Sequence, residues 1–257
     1  MMKKLEVFAR QNVYVYYWLR QIYFWYCYFF RVPHEPEFEV LSRMPARPGE
    51  IIDIGANDGI SAISIRIFNQ VNPILSFEPN HFYEERLKWL SNRLTDFSYR
   101  IFGVGETPCE ATLYVPVYHG FVLTALAALS PEDACNLPGR GMFVSNFDAE
   151  HLRIERQTIR VIRMDELHLN PVLVKIDIEG GELSALRGME ETLMRSRPVL
   201  IIEHNKQGSK EITNFLTNLD YDLIDPKTMG VPSDEPLPFT NYVFWPRGLK
   251  CDLSPAI

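Results

Sequence analysis

The sequence predicts an α/β fold: a mainly parallel sheet with helices on both faces. Three observations predict it. Short apolar runs alternate with stretches of helical spacing from about residue 50 onward. Acidic residues stand at or beside the ends of several of those runs, Asp53, Glu78 and Asp177 chief among them. Glycines follow two of the acidic ends, Gly55 with Gly59 and Gly180 with Gly181, where the chain must turn from strand to helix. In such sheets ligands bind beyond the carboxyl ends of the strands, near the switch in strand order.

The elements follow in order. Ile51 to Ile54 reads as a buried strand and Ser61 to Phe68 as a helix. Ile74 to Glu78 is a second strand, ended by Pro79; Phe82, Leu87, Leu90 and Leu94 give His81 to Leu94 helical spacing. Tyr99 to Val104 reads as a third strand, and Ala111 to Val117 alternates like another. Tyr118 to Ala149 has no sustained period and carries Pro131, Pro138, Gly139 and Gly141. It reads either as a substrate loop or as a surface excursion. Thr158 to Met164 returns to strand character. Val172 to Asp177 is strongly apolar with an acidic end, and Gly180 to Arg195 follows as one helix. Val199 to Glu203 is a buried strand and Ser209 to Leu219 a helix. Tyr221 to Ile224 and Tyr242 to Trp245 complete the sheet.

The 257 residues suit one α/β domain with additions. Cys27, Cys109, Cys135 and Cys251 are scattered with no C-x-x-C pair, so neither a zinc site nor a disulfide framework is expected. A reducing, cytoplasmic compartment is expected. The net charge of −7 argues against a nucleic-acid partner.

Residues 1–49 read as an arm apart from the 50–257 body. The first 31 residues hold five basic side chains against Glu6, leaving +4; the chain's −7 therefore puts −11 on the remainder. They are also dense in Tyr, Trp and Phe, while Arg20 and Gln21 interrupt any membrane span and no small-residue cleavage site follows. Two readings of this helical arm stay open. It covers a face of the domain or of a partner subunit, or it lies at a membrane surface. Pro33, Pro36, Pro45 and Pro48 mark 32–49 as a linker.

The chemistry gathers at three strand ends. The loop after Asp53 is spaced G-x-x-x-G, with Asn57 where a dinucleotide loop carries its middle glycine. That spacing points away from NAD, as does the lack of a Tyr-x-x-x-Lys pair, and towards a ligand without a diphosphate such as S-adenosylmethionine. Glu78 lies 23 residues beyond Gly55, near the offset at which a carboxylate meets ribose hydroxyls. The third end runs Lys175-Ile176-Asp177-Ile178-Glu179-Gly180-Gly181-Glu182. Acids in a helix's first turn are favourable through the macrodipole alone, and Asp177 is the member least explained that way. Lys175 reads equally as a neutralising partner or an exposed strand residue.

These segments, with Phe77-Glu78-Pro79-Asn80 and Pro198 to Glu203, resemble the FkbM family of S-adenosylmethionine-dependent methyltransferases, in family order over about residues 50–205. Gly181 stands where the family often has Ala or His. The resemblance implies a class I methyltransferase (Rossmann-like) domain over 50–257, with a seven-stranded sheet whose last strand is antiparallel. It implies cofactor contacts from Gly55, Asn57 and Gly59, with Asp53 bracing the loop and Glu78 holding the ribose. Val104 would lie near adenine, and Asp177 near the methionine amino group or the acceptor. It implies O-methylation of a sugar, glycan or related natural product. A hydroxyl acceptor calls for a base, and Asp177, Glu179, Glu182, Glu203 and His204 are candidates. Asp177, Glu203 and Asn205 carry hard oxygen donors, but no spacing demands a metal, and none is expected. A methyltransferase-like binding scaffold without activity is the alternative reading, and behind it an NAD-dependent sugar-modifying enzyme.

Overall fold

The computed structural model describes residues 11–143, 147–203, 209–232 and 241–251. Its main sheet has seven strands. In chain order they are β1 (Glu50–Ile54), β2 (Ile74–Phe77), β3 (Phe97–Arg100), β8 (Pro171–Ile176), β9 (Val199–Glu203), β10 (Tyr221–Ile224) and β11 (Asn241–Pro246). They lie in the order β10-β11-β9-β8-β1-β2-β3. The five from β9 to β3 are parallel, and β11 runs antiparallel to both neighbours. The chain winds outward from β1 through β2 to β3, then returns to the far side of β1 as β8. The switch point is therefore β1–β8, and both strands lead into predicted site residues.

Alternation along the strands explains the two covered faces. Ile51, Ile201 and Val243 point into one hydrophobic cluster, and Ile52, Leu200 and Phe244 into another. The first is covered by α1 (Val13–Phe30), α2 (Ile60–Phe68) and α3 (Glu84–Ser91). Three later helices cover the second: α5 (Glu182–Arg187), α6 (Glu190–Ser196) and α7 (Ser209–Asn218). A smaller sheet, ordered β4-β7-β5-β6, comprises β4 (Gly103–Val104), β5 (Cys109–Tyr118), β6 (Phe121–Val122) and β7 (Leu152–Ile162). The short α4 (Pro131–Cys135) lies in the connection from β6 to β7.

Three elements differ from the sequence reading. The third strand divides: Phe97–Arg100 stays in the main sheet, while Gly103–Val104 pairs with β7 in the smaller one. The single helix expected over 180–195 is two. A Cβ on Gly188 would sit 2.1 Å from the Gly105 carbonyl oxygen, so the chain is pressed there against a segment remote in sequence. The proline-rich 32–49 stretch is not a free linker. Pro36–Arg43 forms a 3-10 helix that buries Phe38, Val40 and Leu41 against α2. Pro36 begins it, its fixed φ suiting a first turn.

Candidate functional site

The register of the sheet makes the centre of the site. Asp53 pairs with Ser76 on one side and with Lys175 on the other, so all three side chains share a face. Asp53 is fully buried; its Oδ2 accepts from Ser76 Oγ at 2.9 Å and from Ser61 Oγ of α2 at 2.7 Å. Its Oδ1 lies 3.6 Å from Lys175 Nζ. The ammonium also donates to the Gly55 carbonyl at 2.9 Å and lies 3.2 Å from Asp177 Oδ2. Burial works against its charge, yet Asp177, Asp53 and Glu35 outweigh burial and raise its pKa. Lys175 is thus the cation that joins the ends of β1 and β8. A lone lysine in the apolar run Val172 to Ile176 was the signal: a buried ammonium needs partners.

The loop after β1 turns through left-handed backbone at Gly55 (φ 78°), Asn57 (φ 55°) and Gly59 (φ 85°). Packing within the chain itself demands both glycines. A Cβ on Gly55 would fall 1.8 Å from the Asp177 carbonyl oxygen, and one on Gly59 2.2 Å from a Leu90 methyl. Glu78 ties the loop to β2: Oε2 accepts from Asn57 N at 2.8 Å and Oε1 from Asn80 N at 2.8 Å. Burial pushes its pKa up to about 7 against those two bonds. Each carboxylate oxygen keeps a lone pair for a further donor. Val104 is buried among Phe77, Ile162 and Met164 and joins by apolar packing.

At the ends of the neighbouring strands β8 and β9, Asp177 and Glu203 lie close enough to affect each other's charge, and Asp177 Oδ2 is 3.2 Å from Lys175 Nζ. Burial, then the nearby charge of Asp177, raises Glu203 to about 8, whereas Lys175 outweighs burial and holds Asp177 low. The two carboxyl groups titrate as a pair, with the proton favoured on the Glu203 side because Lys175 stands beside Asp177. Glu179 is more than half exposed and faces Arg140 at 3.4 Å. Glu182 is buried, and its Oε1 accepts from Ile178 N at 3.2 Å and Gly180 N at 3.0 Å. It closes the turn into α5 and offers no base. His204 and Asn205 lie outside the described residues. Among the described residues no group of three or more His, Cys, Asp or Glu is arranged to hold a metal ion.

The arm brings further charge to this rim. His34 Nδ1 lies 2.7 Å from Ser64 Oγ of α2, and its Nε2 3.3 Å from Glu35. Burial and then Lys175 push His34 down to about 3, so its ring is neutral. Glu35 accepts from Asn241 Nδ2 at 2.6 Å, and Asn241 is the register partner of Glu203. Burial raises Glu35 to about 7. From α1, Arg20 faces Tyr83, Tyr16 and Asp58, whose fields outweigh burial and raise its pKa. Sequence reasoning passed over these residues. Pro33 and Pro36 bracket His34 and Glu35, and the only warning was a charged pair in so stiff a segment.

The residues fit an adenosyl sulfonium by their chemistry. A buried carboxylate with spare lone pairs closes β2, and further carboxylates stand at the β1–β8 switch. The sequence profile described as the Methyltransferase FkbM domain matches residues 53–223. No curated protein matches the chain. Among solved structures, an FkbM methyltransferase from Methylobacillus flagellatus KT is similar at 19% identity and TM-score 0.49, over 77% of this chain and 43% of that one. The present chain thus spans less than half of that protein's length. A precorrin-6y C5,15-methyltransferase from Geobacter metallireducens GS-15 is similar at 13% identity and TM-score 0.41, over 81% and 85% of the two chains. An rRNA methylase from Streptococcus thermophilus is similar at 10% identity and TM-score 0.41, over 83% and 94%. With two thirds of its length inside the domain match, the chain belongs to the FkbM methyltransferase family, a family that in general uses S-adenosylmethionine.

Proposed function

We propose that this chain transfers a methyl group from S-adenosylmethionine to a hydroxyl of a sugar, glycan or related natural product. The cofactor, when bound, supplies an electrophilic methyl on a sulfonium. Glu78 accepts from the ribose hydroxyls while its bonds to Asn57 and Asn80 keep the loop in place. The sulfonium's positive charge favours a rim that carries the partly exposed Asp177 carboxylate, with Asp53 buried beneath it on Lys175.

The observation that carries the reading is the Asp177 carboxylate at the β1–β8 switch, held 3.2 Å from Lys175 Nζ. A sugar hydroxyl attacks poorly until its proton can leave, and a fixed carboxylate is a suitable acceptor for it. Asp177 is ionised, held so by the Lys175 ammonium 3.2 Å away. The residue's part would be to take, on its carboxylate, the proton that the acceptor hydroxyl gives up on methylation. His204 is the second candidate base, by its position after β9.

Incubation with methyl-labelled S-adenosylmethionine and extracted glycans and small glycosides tests this. The expected result is label in an alkali-stable O-methyl group, lost in Asp177→Asn. Cofactor binding with no transfer to any hydroxyl acceptor would instead favour a non-catalytic scaffold. Label confined to nitrogen or carbon would overturn O-methylation.

A further inference from the structure

Helix α1 has its polarity reversed for a helix in water. Its single charged residue, Arg20, turns inward toward Tyr83 and Asp58, beside buried Val13, Phe24 and Cys27. The helix is clamped to α3: Arg86 Nη2 donates to Gln21 Oε1 at 2.7 Å, its guanidinium lies 4.2 Å from the Phe24 ring centre, and Trp25 meets Trp89 edge-on at 5.1 Å. The outward side is Tyr14, Trp18, Ile22, Tyr26, Phe29 and Phe30. Spacings of three and four put them on one stripe, roughly 24 Å long at 1.5 Å per residue. Trp18, Ile22 and Phe29 are 59%, 61% and 69% exposed, and no charge interrupts them. A contiguous apolar face of this kind marks an interaction surface.

The composition and flanks select the occupant. Trp and Tyr are the side chains that settle at headgroup level, with Ile and Phe reaching below. Lys3, Lys4 and Arg10 precede the helix in sequence, and exposed Arg31 caps it. A second copy packed along the stripe would bring these cations together, and α1 has no acidic residue to answer them. An anionic bilayer supplies that counter-charge. No described helix is long and apolar enough to cross a membrane, so the helix would lie along the surface. We propose that the outward face of α1 is a docking surface for anionic membranes. The helix's other side walls a small cleft with Leu123 and Thr124 through Tyr17, Arg20 and Gln21. Docking sets that cleft beside the bilayer.

Co-sedimentation of the full chain with vesicles tests the proposal, using phosphatidylcholine alone and phosphatidylcholine with roughly one third phosphatidylserine. Binding is expected to the anionic vesicles, falling as salt rises. Trp18→Glu with Ile22→Glu should weaken it by at least tenfold, on the order expected for placing charge at the interface. Both side chains are more than half exposed, so an unchanged thermal melt should accompany the loss. Lys3→Gln, Lys4→Gln and Arg10→Gln together should flatten the salt dependence without touching the stripe. Failure of the wild type to sediment with anionic vesicles overturns the proposal, as does undiminished binding by the glutamate variant. A dimer by ultracentrifugation that the glutamate variant abolishes, with no vesicle binding, would assign the face to a second copy instead.

Discussion

The two halves of the rim hold their carboxylates in different ways. On the β1–β2 half, Asp53 takes two serine hydroxyls and Glu78 takes two backbone N–H groups. These donors are built into strands, a helix and a tight loop. On the β8–β9 half, Asp177 and Glu203 face each other, and Glu35 leans in from the arm onto Asn241. Fixed donors suit a half that must hold a ligand in one pose; a carboxylate pair sharing a proton suits a half that must move one. Lys175 spans the two, reaching Asp53, Gly55 and Asp177.

The strongest way to break this division is to remove the link. Lys175→Met should cost about 3–5 kcal/mol of stability, because it strands a buried carboxylate without its counter-charge. Urea unfolding measures it, and a loss below about 1 kcal/mol would show that the halves do not depend on the ammonium. Next, Glu78→Ala should act on one half only. It removes hydrogen bonds to a charged acceptor, worth about 1.5–3 kcal/mol, so S-adenosylhomocysteine should bind roughly 10–150-fold more weakly. Acceptor affinity should stay the same in steady-state kinetics.

The third test uses pH on the other half. Glu203 titrates near 8 in the folded chain against an ordinary 4.5, so folding favours its protonated form. That contribution to stability is full below about 4.5 and is lost as pH rises through about 8. The melting temperature should fall across that window, and Glu203→Gln should reduce the slope; Glu35 and Glu78, both raised to about 7, retain the rest. An unaltered slope in the variant would mean that no proton is held there. The smallest effect belongs to Glu179→Gln. An exposed pair with Arg140 contributes at most about 1 kcal/mol, and the transfer rate should stay within about threefold. A hundredfold fall would move the proton acceptor from Asp177 to Glu179.

The legible parts of this molecule were those written in local pattern. Val199–Glu203 and Tyr221–Ile224 are strands with the bounds their apolar runs predict, and Asp53, Glu78 and Asp177 stand at strand ends as their positions imply. What escaped depends on contacts remote in sequence. The break at Gly188 exists because Gly105 presses on it. The 3-10 helix at Pro36–Arg43 exists because α2 offers a face for Phe38. His34 and Glu35 reach the rim by the same docking, and no period in the sequence encodes it. Lys175 is the intermediate case. The strand was legible, but its ammonium's partners became evident only when the register set Asp53 beside it.

Calorimetric titration of the full chain with S-adenosylmethionine, S-adenosylhomocysteine and NAD decides whether this rim holds an adenosyl sulfonium. Dissociation constants on the order of micromolar are expected for the first two, with no heat from NAD. Tight NAD binding, or silence from all three, would overturn the assignment.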